Sequence, residues 1–125
     1  MKIGLTRVYV HDPSAAFTFY TEGLGFVEKL RVPEAGLAIV VSAEEPEGTA
    51  LLLEANANPI ARTYQEAIYQ AALPEIVFVV KDIHREHERL RERGVVFRKD
   101  PTKTQWGVEA IFEDTCGNLI QLHQV

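Results

Sequence analysis

The chain has 125 residues, which is enough to bury one hydrophobic core and too few for several large domains. Its net charge of -5 argues against a nucleic-acid partner, because phosphate binding needs a concentrated positive surface. The single cysteine, Cys116, excludes a disulfide framework, and no apolar run approaches the ~20 residues of a membrane span, so we expect a soluble, cytoplasmic protein.

The first half of the chain predicts one helix and four strands. Apolar and β-branched residues over 3–10 predict a strand, and Asp12 directly after it is placed to cap a helix whose first turn contains Pro13. Gly23 ends that helix. Turns that contain proline and glycine then separate three more predicted strands, at residues 26–32, 37–42 and 49–54.

The second half repeats this order after a linker helix. Apolar residues at helical spacing predict the linker helix, and a strand, a helix and three strands follow at residues 75–80, 84–93, 95–98, 108–112 and 118–123. The strand end at residues 8–12 matches that at 78–82, about seventy residues later, so the unit is duplicated. We therefore expect a single domain over 1–125, made of unit one (1–55), the linker helix (56–73) and unit two (74–125).

Three short motifs accompany the duplicated unit. They are Phe19-Tyr20 on the first helix, Leu24-Gly25-Phe26 after it and Asp114-Thr115-Cys116-Gly117-Asn118 before the last strand. With these motifs the chain resembles the vicinal oxygen chelate superfamily, which includes glyoxalase I, extradiol dioxygenases, fosfomycin-resistance transferases and bleomycin-resistance proteins. The resemblance implies an α+β fold of two tandem β-α-β-β-β units, whose mixed sheets form an open barrel around a cleft, and a homodimer.

The resemblance also assigns four metal-ligand positions, on the first and last strand of each unit. In this sequence they are Leu5 and Leu52 in unit one, and Glu75 and Gln121 in unit two. Leucine has no donor atom for a metal, and a neutral amide is a poor ligand. The sequence thus departs from the metalloenzyme pattern of the superfamily, and we expect a small-molecule cleft without the usual metal site or another cofactor. Its apolar and polar halves suit an aromatic or amphipathic ligand, as in bleomycin-resistance-like binding proteins.

A displaced metal site is the alternative. Glu54 and His123 lie two residues beyond Leu52 and Gln121, and strand alternation puts them on the same face as those positions. With Glu75, and with Gln121 as a further weak candidate, they could hold Mn, Fe, Ni or Zn for a glyoxalase-like lyase or an extradiol-dioxygenase-like enzyme. The simpler interpretation makes Glu54 and His123 polar residues at strand ends. A protein with an interaction role only is a third possibility.

Further side chains are expected at the cleft. If Val8 faces the helix-covered core, Arg7 and Tyr9 face the cleft, where Arg7 would bind a carboxylate or phosphate or pair with Glu75 or Glu109. Trp106 would either stack on a planar ligand or cap the sheet.

Three other sets of side chains are given weaker roles. His84 and His87 are expected on a solvated or half-buried helix face, because they lack a third metal ligand. Tyr64 and Tyr69 on the linker helix would close over the cleft or pack in a dimer interface. Cys116 has no histidine pattern near it in the sequence, so a nucleophilic role is set aside.

Overall fold

The computed structural model describes all residues, 1–125, and they divide into two compact units, 1–65 and 66–125. Each unit contains a four-stranded mixed sheet with a helix packed on it, which confirms the predicted α+β fold of two β-α-β-β-β units. The elements are β1 (Leu5–Val10), α1 (Pro13–Thr18), β2 (Val27–Val32), β3 (Leu37–Val41), β4 (Ala50–Ala55), α2 (Pro59–Gln70), β5 (Ile76–Val79), α3 (Ile83–Glu92), β6 (Phe97–Thr104), β7 (Gly107–Glu113) and β8 (Leu119–Gln124).

In unit 1 the strand order is β1-β4-β3-β2, and only β1 and β4 run parallel. Val8 and Val10 are fully buried on the face that α1 covers, as are Val40 and Leu53 of the neighbouring strands. Because strand side chains alternate, Leu5, Arg7 and Tyr9 project from the opposite face. We call the helix-covered side the first face of each sheet, and the opposite side the second face.

The start of α1 is fixed as predicted. The Asp12 Oδ1 atom accepts hydrogen bonds from the backbone N–H groups of Ser14 (3.0 Å) and Ala15 (3.4 Å), two of the groups that a helix start leaves unpaired. After Thr18 the helix widens into one π-helical turn, Phe19–Gly23, which carries the fully buried Tyr20. The predicted aromatic pair of the first helix thus lies where α1 meets this turn, and Tyr20 joins the core of unit 1.

In unit 2 the strand order is β5-β8-β7-β6, the counterpart of the order in unit 1. Its first face buries Phe112 and Ile120 beneath Ile83 and Leu90 of α3. The register pairs Val77 with Gln121, and it pairs Val79 and Glu109 with His123 on either side. Alternation therefore places these five side chains on the second face of unit 2, with the two valines half or more exposed.

A tight turn joins β7 to β8 and uses the motif noted in the sequence. Asp114 is fully buried, and its Oδ1 accepts from the backbone N–H groups of Cys116 (2.7 Å) and Asn118 (3.0 Å), while its Oδ2 accepts from the Asn118 side chain (2.9 Å). Thr115 has φ of 63° and Gly117 of 98°, so the chain reverses through the left-handed region. Cys116 is buried in this turn, which is a structural position.

The linker helix α2 is shorter than predicted, and its buried side chains include Gln65. The Gln65 Nε2 donates to the Tyr9 carbonyl oxygen (2.9 Å), and its Oε1 accepts from the Asn56 side chain (2.8 Å). These bonds satisfy a polar group that would otherwise be costly to bury. No helix in the structure has both the length and the apolar character needed to cross a membrane.

Strand β6 is the largest departure from the predicted elements. It covers Phe97–Thr104, whereas the sequence predicts a strand only over 95–98. Its register against β7 shifts between Phe97 and Lys99 and again between Lys99 and Thr102. These irregularities, together with Pro101, hide the strand pattern from the sequence. An edge position tolerates them, because an edge strand needs hydrogen bonds on one side only.

Gly107 begins β7 in a conformation that only glycine adopts easily, with φ of 135°. A Cβ atom at this position would lie 2.2 Å from the Gln124 carbonyl oxygen and 3.3 Å from the His123 Cε1 atom. The close approach of β7 to β8 beside His123 therefore depends on the missing side chain.

We expect Gly107→Ala to lower the free energy of unfolding by about 3 kcal/mol, because it combines a strained φ with a clash against backbone. Gly4→Ala is the control, since Gly4 has no positive φ and no heavy atom within 4 Å of an added Cβ. Urea unfolding followed by circular dichroism measures both variants. Equal stability of the two would show that β8 moves away at little cost.

Candidate functional site

The second face of unit 1 is an apolar surface that carries one ion pair. Arg7, Leu52 and Ile39 are direct neighbours in the register of β1, β4 and β3. Tyr9, Glu54 and Leu37 form the next row. Leu5 opens this face at the start of β1 and is 48% exposed, whereas Leu52 at its centre is 5% exposed. The predicted residues of unit one, Leu5, Arg7, Tyr9, Leu52 and Glu54, are thus brought together.

The Arg7 side chain is held by its own sheet. Its Nε lies 3.5 Å from Glu54 Oε2, and its guanidinium carbon lies 5.6 Å from the centroid of the Tyr9 ring. Arg7 and Glu54 are diagonal neighbours, which long side chains bridge. Arg7 is therefore paired with Glu54 of its own sheet, a partner that the sequence did not suggest, and pairing with Glu75 or Glu109 stays a prediction.

The second face of unit 2 is polar at its centre. Lys99 Nζ lies 2.5 Å from Glu109 Oε1, and Gln121 Nε2 donates to Glu109 Oε2 (3.3 Å). His123 stands opposite Glu109 in the register and is half-buried. Gln121 and His123 therefore share this face, as predicted. Lys99 was not predicted at this face, because the predicted strand ends one residue earlier, at Arg98.

A second ionic group occupies the end of β7. Glu113 accepts a hydrogen bond from the Tyr69 phenol, and Arg98 Nη1 lies 3.5 Å from Glu113 Oε1. Bonding to the carboxylate, more than desolvation, raises the pKa of Tyr69. Arg98 reaches this face from the irregular stretch between Phe97 and Lys99. Tyr69 thus bonds to a side chain of unit 2. In the sequence, only the period-two alternation that puts Glu109 and Glu113 on one face of β7 indicated this group.

Glu75 lies directly before β5, and its backbone N–H donates to the Leu119 carbonyl oxygen (2.8 Å). Partial burial, and to a lesser degree the negative charge of Asp114, raise the pKa of the Glu75 carboxyl. The ionised form is therefore disfavoured in the folded protein.

The remaining aromatic and histidine candidates lie apart from these groups. Trp106 is 74% exposed in the β6–β7 turn, so it does not cap the sheet, and its stacking on a ligand stays a prediction. His84 is exposed on α3. His87 lies 3.2 Å from Asp100 and stacks edge-on against Phe97, with 4.5 Å between ring centroids. His87 therefore lies on a half-buried helix face, as predicted.

The four superfamily ligand positions do not fit a divalent metal. Leu5 and Leu52 offer hydrocarbon only, and the Gln121 amide donates to Glu109. That leaves Glu75 as the one carboxylate among them. Within each unit, no group of three or more His, Cys, Asp or Glu side chains is placed to hold a metal ion. Glu54 of the displaced set is paired with Arg7, and that set stays a prediction.

The geometry of both units agrees with the comparison to protein families. Residues 2–122 match the model of the Glyoxalase/Bleomycin resistance protein/Dioxygenase superfamily. The chain belongs to this superfamily. The resemblance drawn from the duplicated unit and its motifs is thereby confirmed across nearly the whole chain. Members of this superfamily are also found among the solved structures similar to the chain.

Individual proteins are similar to the chain over nearly their full length. YurT of Bacillus subtilis (strain 168), a protein of uncharacterised function, is 46% identical over 126 residues, covering 99% of both chains. The structure of UcmS2 superposes with a TM-score of 0.82 at 28% identity and covers 98% of this chain and 97% of that one. TnmS3, an antibiotic binding protein from Streptomyces sp. CB03234, gives a TM-score of 0.78 at 28% identity, covering 99% and 95%.

We expect Glu75→Gln to stabilise the protein at pH 7. A folded-state pKa above the unfolded value means that stability is full below the unfolded pKa and falls as the pH rises through the folded pKa. The glutamine amide stays uncharged and so avoids this loss of stability. The gain in melting temperature should therefore vanish when the pH is below 4.5, the ordinary pKa of a glutamate carboxyl. Scanning calorimetry from pH 3 to pH 8 (on the order of one measurement per pH unit) checks this.

Glu34→Gln is the matched control for this measurement, because Glu34 is exposed in a turn. Its melting temperature should follow that of the unsubstituted protein at every pH. A Glu75→Gln variant that is less stable at pH 7 would show that the folded protein favours the ionised carboxylate.

Proposed function

We propose that the protein binds a small aromatic or amphipathic organic molecule on the second faces of its sheets, without a catalytic divalent metal. The single observation that carries this proposal is Leu5 and Leu52 at two superfamily ligand positions, on a face that is otherwise apolar around one ion pair. Apolar surface with a few placed polar groups is the usual composition of a small-molecule site.

The comparisons support the same function. TnmS3 is an antibiotic binding protein, and its chain and this one align over nearly their full lengths at 28% identity. Superfamily membership by itself leaves the activity open, because one scaffold hosts binding proteins, lyases and dioxygenases. The side chains at the ligand positions decide between these classes, and here they favour binding. Stoichiometric sequestration of a toxic aromatic compound is a role that such a protein would serve.

We also propose that the protein is a homodimer, as the superfamily resemblance implies. Several large apolar side chains outside the second faces are exposed in the single chain, among them Ile60 and Tyr64 on α2 and Leu73 after it. Burial of such groups between two copies is the usual source of dimer stability. Sedimentation equilibrium should give twice the 14.0 kDa mass of the chain. A single-chain mass across the concentration range would contradict this proposal.

Leu5→Asp should weaken binding of planar aromatic antibiotics by about tenfold or more, because it places a charge on the exposed apolar part of the second face. Thr6→Asp is the matched control. Thr6 is the adjacent residue and is also exposed, but it projects toward the first face. Isothermal titration calorimetry of both variants and the unsubstituted protein measures the difference.

The metal content of the same preparation tests the competing enzyme class. We expect well below one Mn, Fe, Ni or Zn ion per chain by plasma mass spectrometry, on protein purified without chelators or a histidine tag. One tightly bound ion per chain that is lost in a Glu75→Ala variant would contradict the proposed function. Equal binding by the Leu5→Asp and Thr6→Asp variants would move the ligand away from the second face of unit 1.

A further inference from the structure

The charges on the second faces point to the chemical class of the ligand, an inference that rests on the proposed function. We propose that the second face of unit 1 selects an uncharged planar molecule with a hydrogen-bond acceptor beside a donor, as in a primary amide or a lactam. Arg7 would donate to the acceptor, and Glu54 would accept from the donor. The sequence alone left Arg7 as a possible anchor for a carboxylate or phosphate.

The geometry of the pair leaves both partners able to bind a third group. The side chains of Arg7 and Glu54 are 49% and 30% exposed, and their contact is a single approach of 3.5 Å. A guanidinium carries five N–H donors and a carboxylate has two acceptor oxygens, so one contact uses a small part of either. The pair therefore offers a ligand a donor and an acceptor side by side.

Charge balance disfavours an ionic ligand at this place. An anion that approaches Arg7 also approaches the Glu54 carboxylate, and a cation that approaches Glu54 also meets the guanidinium. Attraction and repulsion then largely cancel, while the cost of removing the ion from water remains. A neutral amide pays a smaller desolvation cost and forms a hydrogen bond with each charged partner.

The surroundings of the pair suit a flat aromatic body. The Tyr9 ring already lies against the guanidinium, at 5.6 Å from its carbon to the ring centroid. Leu52 and Ile39 lie beside Arg7 in the same register row, and Leu37 lies beside Glu54. A planar ring on this surface buries apolar area while its polar edge meets the ion pair.

The ion pairs on the second face of unit 2 are also neutral. Glu109 is paired with Lys99, and Glu113 is paired with Arg98. Each paired carboxylate on the second faces thus has a cation from its own sheet, so these pairs contribute no net charge. The net charge of -5 comes entirely from other residues. Selection of an uncharged ligand is therefore consistent with both sheets.

A matched series of probes tests the inference on the full chain. We would titrate 2-naphthamide, 2-naphthoate and 2-naphthamidine at pH 7, which share a ring and shape and carry charges of about 0, -1 and +1. The unsubstituted protein should bind the amide about tenfold more tightly than either ion. Glu54→Gln should shift the preference toward naphthoate and Arg7→Gln toward naphthamidine, each by about tenfold.

Glu28→Gln is the control, because Glu28 is exposed on β2 and pairs in register with the first-face residue Val40. It should leave the order of the three probes unchanged. An unsubstituted protein that prefers either ion, or charge variants that leave the order unchanged, would overturn the inference. Failure of all three probes, with Leu5-dependent binding of aromatic antibiotics intact, overturns this inference alone. Failure of both kinds of ligand overturns the proposed function as well.

Discussion

Period-two alternation along the strands, with a helix over one face of each sheet, is the constraint on which the structure depends. In unit 1 it buries Val8 and Val10 under α1 and leaves Arg7 and Tyr9 on the opposite face. In unit 2 the same rule buries Phe112 and leaves Glu109 and Glu113 on the second face, flanking Ile111. A shift of one residue would exchange core and site in either unit, so core packing fixes the positions of the candidate binding side chains.

The second faces combine apolar side chains with ion pairs formed within each sheet. Leu5 and Leu52 supply no donor atom for a metal, and the half-exposed Leu5 gives the second face of unit 1 an apolar surface suited to burial and stacking. Polar groups remain, and the clearest of them are arranged as pairs within a sheet. Arg7 with Glu54, and Lys99 with Glu109, are modest contributors to stability because they are partly exposed. Their larger effect is to fix the charge and hydrogen-bonding pattern of the second faces.

Irregular backbone in unit 2 brings together side chains that regular strand pairing alone would leave apart. The register shift in β6 brings Arg98 to Glu113 and Lys99 to Glu109, so neighbouring residues of one strand serve two carboxylates. Gly107 allows β7 to pass close to β8 beside His123. The register shifts cost hydrogen bonds between strands, and the edge strand β6 tolerates this loss better than an interior strand would.

The sequence by itself determined the duplicated unit, the α1 cap at Asp12 and the superfamily, because strand alternation, turn residues and the repeat are local patterns. The repeat also aligns Leu5 with Glu75 and Leu52 with Gln121, the positions at which the superfamily resemblance predicts ligands. Only the tertiary structure decided that Arg7 pairs with Glu54 and that β6 continues to Thr104. Ion-pair partners and edge-strand irregularities depend on which strands lie side by side, and that neighbourhood is absent from any local pattern of residues.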